Sequence, residues 1–517
     1  MATLCLALAP LAHAKEITSN GLGGGRWSDT TTWRGGAVPG AEDEAVIGAR
    51  DTVVFDRNDV EGPTCKQLIL DPNSNFAFQS GLGKRTLTVN GSIESFGSIK
   101  MHAAALTDDM EIRLAGATDP ERLIKLGRGA ALLMLGRPDL PEGRRNVRIT
   151  VTGPPVSKGV PAQADLTAGD RTMLDLQNAQ LDNVSVSGTG IDNTGAQPNE
   201  RCNFIGNLFT GYAKLALSTC DTPVISRNEF QGQKAATIRP SGIVVSGCPL
   251  AEIRGNHLVG AYAIGINVMG SEASVSDNLI EGAIQGITWH TGAAMLKHNT
   301  LRGCKTGLAL RTTTGSAEDT TIDGSDLPLH TASAKVQLTS VNIVNPPKTA
   351  LLESISSSVA LLNCNITPAQ MKSVRDAALP RIVGAEDPAV ETLAFLVVGL
   401  KGTFPRGAQV EVLTSAPAKP IAPGALDMNV RNSPARVRPD GFTPLPQTLT
   451  PLIVKSWGMD DDGKVVPAPE YTINVLEPAA EPGGKPRILK SVKVKPDETW
   501  FRPEPNDPKP TLEIQLP

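Results

Sequence analysis

The sequence predicts an all-β protein whose middle, residues 145–366, is a right-handed parallel β-helix. Three observations carry the prediction. A gap-free repeat occupies residues 202–303. Glycine (50) and proline (40) are abundant while aromatics are only 4% of 517 residues, which suits many tight turns around cores of Val, Ile, Leu and Ala. Beyond the first fifteen residues no apolar run approaches the roughly 18 to 20 residues needed to span a bilayer.

The repeat consists of CNFIGNLFTG, PVISRNEFQG, AEIRGNHLVG, ASVSDNLIEG and AMLKHNTLRG. Its asparagines, Asn207, Asn228, Asn256, Asn278 and Asn299, are 21, 28, 22 and 21 residues apart, one coil each. Apolar columns precede them (Phe204, Ile225, Ile253, Val275, Leu296) and follow them (Phe209, Phe230, Leu258, Ile280, Leu301). Glycines close each segment at 211, 232, 260, 282 and 303. Stacked short strands about 4.8 Å apart produce such ladders of equivalent side chains. Asparagine is expected at the sharp turn, where it tolerates the left-handed backbone and bonds its neighbours in the ladder.

The same coils carry a second strand, AIGINVMG, IQGITWHTG and KTGLALRTT, led by Gly265, Gly286 and Gly307. Alternation points Ile266, Ile287, Leu308, Val268, Trp289 and Leu310 inward. It turns Asn267, Thr288, Ala309, Met269, His290 and Arg311 to solvent. VQLTSVNI and VALLNCNI, 23 residues apart, extend the β-helix to residue 366. Thr367-Pro368-Ala369-Gln370 then reads as a capping box, predicting a capping helix within 367–384 that closes the open end.

From residue 390 to 517 the strands TLAFLVVGL, AQVEVLT, ALDMNV, LTPLIVKSW and YTINVL alternate with Pro- and Gly-rich turns, predicting a β-sandwich of the immunoglobulin or fibronectin kind. At the other end, MATLCLALAPLAHA is apolar and ends in an A-x-A arrangement, so residues 1–14 read as a signal peptide, although no Lys or Arg precedes the apolar run. The alternative is a buried first strand. Export implies a secreted or extracellular protein, including periplasmic and cell-surface placements.

Removing that segment leaves Cys65, Cys202, Cys220, Cys248, Cys304 and Cys364, with no C-x-x-C pair, so no structural metal site is expected. Cys220 and Cys248 each lie eight residues before a coil asparagine and share a column. They are either a disulfide or a pair of buried thiols. Cys364 aligns with inward Val341 and reads as core.

Residues 20–140 contain GGRWSDTTTWRGGAVPGAEDEAVI, followed by short strands such as TVVF and KQLIL. Trp27, Trp33, Pro39, Gly40, Asp43, Val46 and Ile47 resemble the opening of a G8 domain, a glycine-containing β module of extracellular proteins often followed by parallel β-helix repeats. The resemblance implies extracellular placement and contact with a polysaccharide or cell-surface glycan. Some G8 proteins are similar to hyaluronan-binding or hyaluronan-depolymerising proteins. No catalytic motif of that family is matched here.

A net charge of −4 without any long Lys/Arg block excludes the electrostatic footprint of a nucleic-acid binder. A β-helix groove suits a linear polymer, and depolymerases on it need a base with a cation or metal for the uronate, or two carboxylates about 5 to 9.5 Å apart. His290 as base and Arg311 as neutralising cation form the best outward pair. Asp277 and His298 pair at the turn as binding residues. The plainer reading of all four is a solvated polar face. Trp289 belongs to the core by parity, although an indole also suits sugar stacking. Asp460 to Gly463, in MDDDGK, is a D-G hairpin turn or a Ca²⁺ loop without a distal Glu; no other cofactor is expected. The functions that follow are a polysaccharide-binding or scaffold protein, or a polysaccharide lyase or glycoside hydrolase. A third is an adhesion module using the terminal sandwich.

Overall fold

The computed structural model describes residues 15–58, 64–116, 122–141, 143–155, 161–191, 202–233, 239–374, 390–414, 435–436, 443, 452–460, 462–479, 484–497 and 510–517. The stretch 1–14, residues 375–384 of the expected cap and the segment ALDMNV lie outside them. The chain divides into two units at Asn267/Val268.

In the first unit, parallel stacking starts at Glu16–Thr18 on Glu44–Ile47, followed by Gln67–Leu70, Ile93–Ser95, Leu123–Leu126 and Ala164–Ala168. From Lys84 onward each coil gives one strand to each of three parallel sheets. The expected boundary near residue 145 is not a break: Asp109–Leu114 pairs in register with Val147–Val151 across it. The described residues of 20–140 therefore stack as parallel coils. Their period was hidden because the register partners Ile17, Ala45, Leu68, Ile93, Ile124 and Leu166 are spaced 28, 23, 25, 31 and 42 residues apart. Connections of such unequal length align no sequence column.

The G8-like residues have structural roles here. Trp27 and Trp33 are buried and meet edge to face at 4.9 Å, while Phe55 and Phe76 pack on Trp27. The Trp33 indole N–H donates to the Trp27 carbonyl at 2.9 Å, and Asp43 accepts from the Gly40 amide at 2.9 Å. This aromatic cluster fills the core where the first coils begin.

The second unit repeats the construction. One sheet runs Gln285–His290, Thr306–Arg311, Leu327–Ala332, Leu352–Ile355, Met371–Val374, all parallel. A second runs Ser274–Ser276, Ala293–Lys297, Thr314–Glu318, Lys335–Thr339, Ser358–Leu362. A third runs Leu279–Glu281, Thr300–Arg302, Thr321–Asp323, Asn342–Val344. Parallel crossovers of this kind are right-handed, and the fold is a right-handed parallel β-helix. Glycine leads the strands at Gly286 and Gly307 because coils touch there: a Cβ would lie 2.6 Å from the carbonyl of Gly307 and of Pro328 respectively.

The asparagines are the inner lining of a corner. Asn207, Asn228, Asn256, Asn278 and Asn299 are all buried. Asn207 Nδ2 donates to Asn228 Oδ1 at 3.0 Å and Asn228 Nδ2 to Asn256 Oδ1 at 2.9 Å; in the second unit Asn278 Nδ2 donates to Asn299 Oδ1 at 3.0 Å. The expected ladder is there, but the left-handed turn falls one residue earlier, on Gly206, Arg227, Gly255, Asp277 and His298, with φ of 53° to 65°. Side chains at that position swing outward, which frees the next one to point in.

The capping box forms, with the Thr367 amide donating to Gln370 Oε1 at 2.9 Å, yet it opens only a 3-10 turn at Pro368–Gln370. The expected helix is corrected at Met371–Val374, which is a strand on Leu352–Ile355. One more strand over the open edge satisfies its backbone groups directly. Val390–Leu396 then pairs parallel with Ser358–Leu362 and antiparallel with Leu452–Met459. Gln409–Thr414, Tyr471–Glu477 and Arg487–Val494 form an antiparallel sheet. Val410, Ile473 and Val475 share a core with Leu396, Val454 and Ile514. Asp460 and Gly463 close the hairpin between Leu452–Met459 and Val465–Val466, the Asp460 carboxylate accepting from the Lys464 amide at 2.8 Å. Among the described residues no helix is long and apolar enough to cross a membrane.

Candidate functional site

The outward face of the first sheet in the second unit holds the candidate site. His290 and Arg311 are register partners on adjacent strands, as alternation predicts. A second row runs beside that pair, two residues earlier along the same strands, while the column of Arg311 itself continues to Ala332. Ala309 faces His330, His330 faces Glu353 and Glu353 faces Lys372, one residue per coil. His330 Nδ1 lies 3.5 Å from Glu353 Oε2, and Lys372 Nζ donates to Glu353 Oε1 at 3.1 Å. His290 and His330 thus flank Arg311 on the two neighbouring strands.

Thr288 and Ala309 share this face but are buried instead of facing solvent. They are short, the Thr288 hydroxyl donates to Gln285 Oε1 at 2.9 Å, and longer neighbours stand on either side. Trp289 points into the core, its indole N–H donating to the Thr291 carbonyl at 3.0 Å. It is no stacking platform.

Electrostatically this face is unbalanced around Arg311. Glu353 is taken by His330 and Lys372, whereas Arg311 has no carboxylate partner among the described residues and its buried Nε has no hydrogen bond. Partial burial lowers the pKa of both histidines below 6.5, and the Arg311 charge lowers each further; Glu353 partly offsets this at His330. Both imidazoles are therefore neutral at pH 7. A cation held without a counter-charge, between two neutral bases, has the chemistry to accept an anionic group.

Asp277 and His298 do meet, but at another corner of the coil, with the strand Ala293–Lys297 between His298 and His290. His298 Nδ1 is 3.4 Å from Asp277 Oδ1 and its Nε2 is 3.4 Å from Asp319 Oδ2. All three occupy left-handed turn positions and are exposed. Both ring nitrogens are engaged, so the trio is a ladder along the corner, separate from the His290 row. Among the described residues no group of three or more His, Cys, Asp or Glu is arranged to hold a metal ion.

Sequence reasoning missed His330, Glu353, Lys372 and Asp319. The signal was spacing: 21 residues on from Ala309 is His330, and 21 on from His298 is Asp319.

Comparison with known families bears on the fold. Residues 172–327 match the family model of a right handed beta helix region. That stretch includes His290 and Arg311 and ends where the strand bearing His330 begins. No curated protein matches the chain. The β-helix is compatible with roles on polysaccharides, and the choice among them rests on the side chains.

Proposed function

We propose that this is an exported protein that binds an acidic polysaccharide along the outer face of its β-helix. The observation that carries the reading is Arg311, half-buried and without a counter-charge between His290 and His330. A uronate carboxylate would complete its hydrogen bonds, and neighbouring sugars would follow the stacked coils. The apolar stretch 1–14 supports export. Lys372, at the far end of the row, adds a second cation.

Gel retardation of the purified chain by polyuronates and by neutral glycans tests this. Retardation by the polyuronate alone is expected, with Arg311→Ala weakening it by about 10- to 100-fold, the worth of one charged hydrogen-bonded contact. Arg302→Ala, which removes a cation already paired with Glu281, should leave it unchanged. Equal retardation of wild type and Arg311→Ala would sink the proposal.

Affinity should also rise as pH falls from about 7.5 to about 5.5. Both histidines have folded pKa values below 6.5, so acid adds positive charge beside Arg311 only as pH falls below that value, and a bound anion draws their pKa values upward. Stability without ligand moves the other way. The unfolded histidines take protons first, near 6.5, so folding stability drops as pH falls below that value until the folded histidines also protonate. Isothermal titration across the range, in parallel with thermal melts, separates the two.

One observation favours a second reading, a lyase: neutral His290 and His330 stand beside a carboxylate-neutralising Arg311. A histidine would take the proton α to the uronate while the bond to the leaving sugar oxygen breaks. Appearance of unsaturated-uronate absorbance, lost in His290→Ala or His330→Ala, would identify it. Hydrolysis is disfavoured by the single carboxylate of the row, Glu353.

A further inference from the structure

Cys220 and Cys248 are free thiols in the structure; we infer that under oxidising conditions they close to a disulfide that staples two adjacent coils of the first unit. Both follow a left-handed residue, Thr219 (φ 50°) and Gly247 (φ 58°), at the end of register-paired strands whose last residues are Ser218 and Ser246. They therefore sit at one corner, one above the other. Stacked strands place equivalent Cα atoms about 4.8 Å apart, inside the range of about 4.4 to 6.8 Å that a disulfide spans.

The Cys248 sulfur is turned toward the coil that carries Cys220. The Cys220 amide donates to Cys248 Sγ at 3.3 Å, and Cys248 Sγ lies 3.7 Å from the Leu217 carbonyl of the coil that carries Cys220. Cys220 Sγ lies 3.4 Å from the Ser218 carbonyl at the same corner. Both residues are fully buried, so no solvent stands between them. The pair is also electrically asymmetric. Hydrogen bonding from the Cys220 thiol, aided by the Cys220 amide, draws Cys248 down to about 7 against the effect of burial; the same thiol contact, with burial, pushes Cys220 up. One sulfur is prepared to be the nucleophile and the other to hold the proton.

Oxidation by a low-molecular-weight disulfide such as oxidised glutathione balances as follows. The Cys248 thiolate attacks one glutathione sulfur, forming a mixed disulfide and expelling a glutathione thiolate. That thiolate takes the Cys220 proton. Cys220 then attacks Cys248 Sγ and expels the second glutathione thiolate, which is protonated from water. Two protein thiols are oxidised and one glutathione disulfide is reduced. Because the corner is buried, exchange occurs during folding or local opening. The loop closed spans 28 residues.

The test is peptide mapping of the full chain after refolding in oxidised and reduced glutathione, with free thiols alkylated in denaturant and digestion under non-reducing conditions. A Cys220–Cys248 linked peptide is expected in the oxidised sample, with Cys65, Cys304 and Cys364 alkylated. Amides of the two coils should exchange on the order of a hundredfold slower in the oxidised chain, in line with closure of a loop this long. C220S and C248S, which each leave one thiol unpaired, should abolish that redox dependence. Alkylation of both cysteines in the oxidised sample would overturn the inference, as would linkage of Cys248 to Cys202. The mapping needs no variant to fold and no glycan, so it stands or fails apart from the proposed function.

Discussion

Asn228→Ala should destabilise the coils around it by about 3 to 5 kcal/mol, the cost of stranding several buried polar groups at once. Asn228 Nδ2 serves the Phe204 carbonyl at 2.8 Å and Asn256 Oδ1 at 2.9 Å. Its Oδ1 accepts from both the amide and Nδ2 of Asn207, each at 3.0 Å. Alanine removes all of these, and at a corner this closed no water replaces them. Stacked repeats unfold in parts, so a single melting temperature under-reports the loss. The sharper readout is hydrogen exchange at Asn207, whose amide should exchange on the order of a hundredfold faster or more. Asn228→Asp gives a second, signed test. At neutral pH it sets a carboxylate against the Phe204 carbonyl and Asn256 Oδ1; in acid the neutral carboxyl regains a donor, so this variant should recover part of its stability as pH falls. A wild-type exchange rate at Asn207 in Asn228→Ala would show that the ladder is ornamental.

The same ladder shows what was legible in the sequence. A side chain that bonds its own copy one coil away must be the same residue at the same column, so Asn207 to Asn299 stand out. The left-handed position before them demands only a backbone angle, which Gly206, Arg227, Asp277 and His298 all supply. Chemically unlike residues leave no column to read. His290 and Arg311 were found because Gly286 and Gly307 align their strands; Pro328 stands in the glycine's place one coil later, which hid His330. Lys372 was hidden by a stronger local signal. Thr367-Pro368-Ala369-Gln370 satisfies the rule for starting a helix, but the unpaired edge of Leu352–Ile355 offers the following residues four register partners. Tertiary pairing prevails over the local motif there.

The buried ion pair Arg85–Asp108 should give the other large effect. Asp108 accepts from Arg85 at 2.9 Å, Ser80 Oγ at 2.6 Å, and the amides of Gly81 and Ala105 at 2.8 and 2.9 Å. Arg85 is equally buried, and its Nε and second terminal nitrogen have no hydrogen-bond partner. Asp108 is thus its sole compensation in the described structure. Asp108→Ala leaves a guanidinium buried with nothing against it and frees two turns, a loss of about 3 to 5 kcal/mol. Burial raises the Asp108 pKa, but the Ser80, Ala105 and Gly81 hydrogen bonds and the Arg85 charge together bring it below 3.8. Its contribution is therefore complete above about pH 4 and is lost as pH falls through the lower folded value. Asp108→Ala should therefore flatten the acid limb of the stability curve. The double variant Arg85→Met, Asp108→Leu separates charge from architecture, because replacing both partners by apolar side chains removes the desolvation cost. It should regain most of the stability in urea titration while the amides of Gly81 and Ala105 stay exchange-labile. Recovery of both would mean that the pair only balances its own charge; recovery of stability alone would show that Asp108 is there to set the two turns.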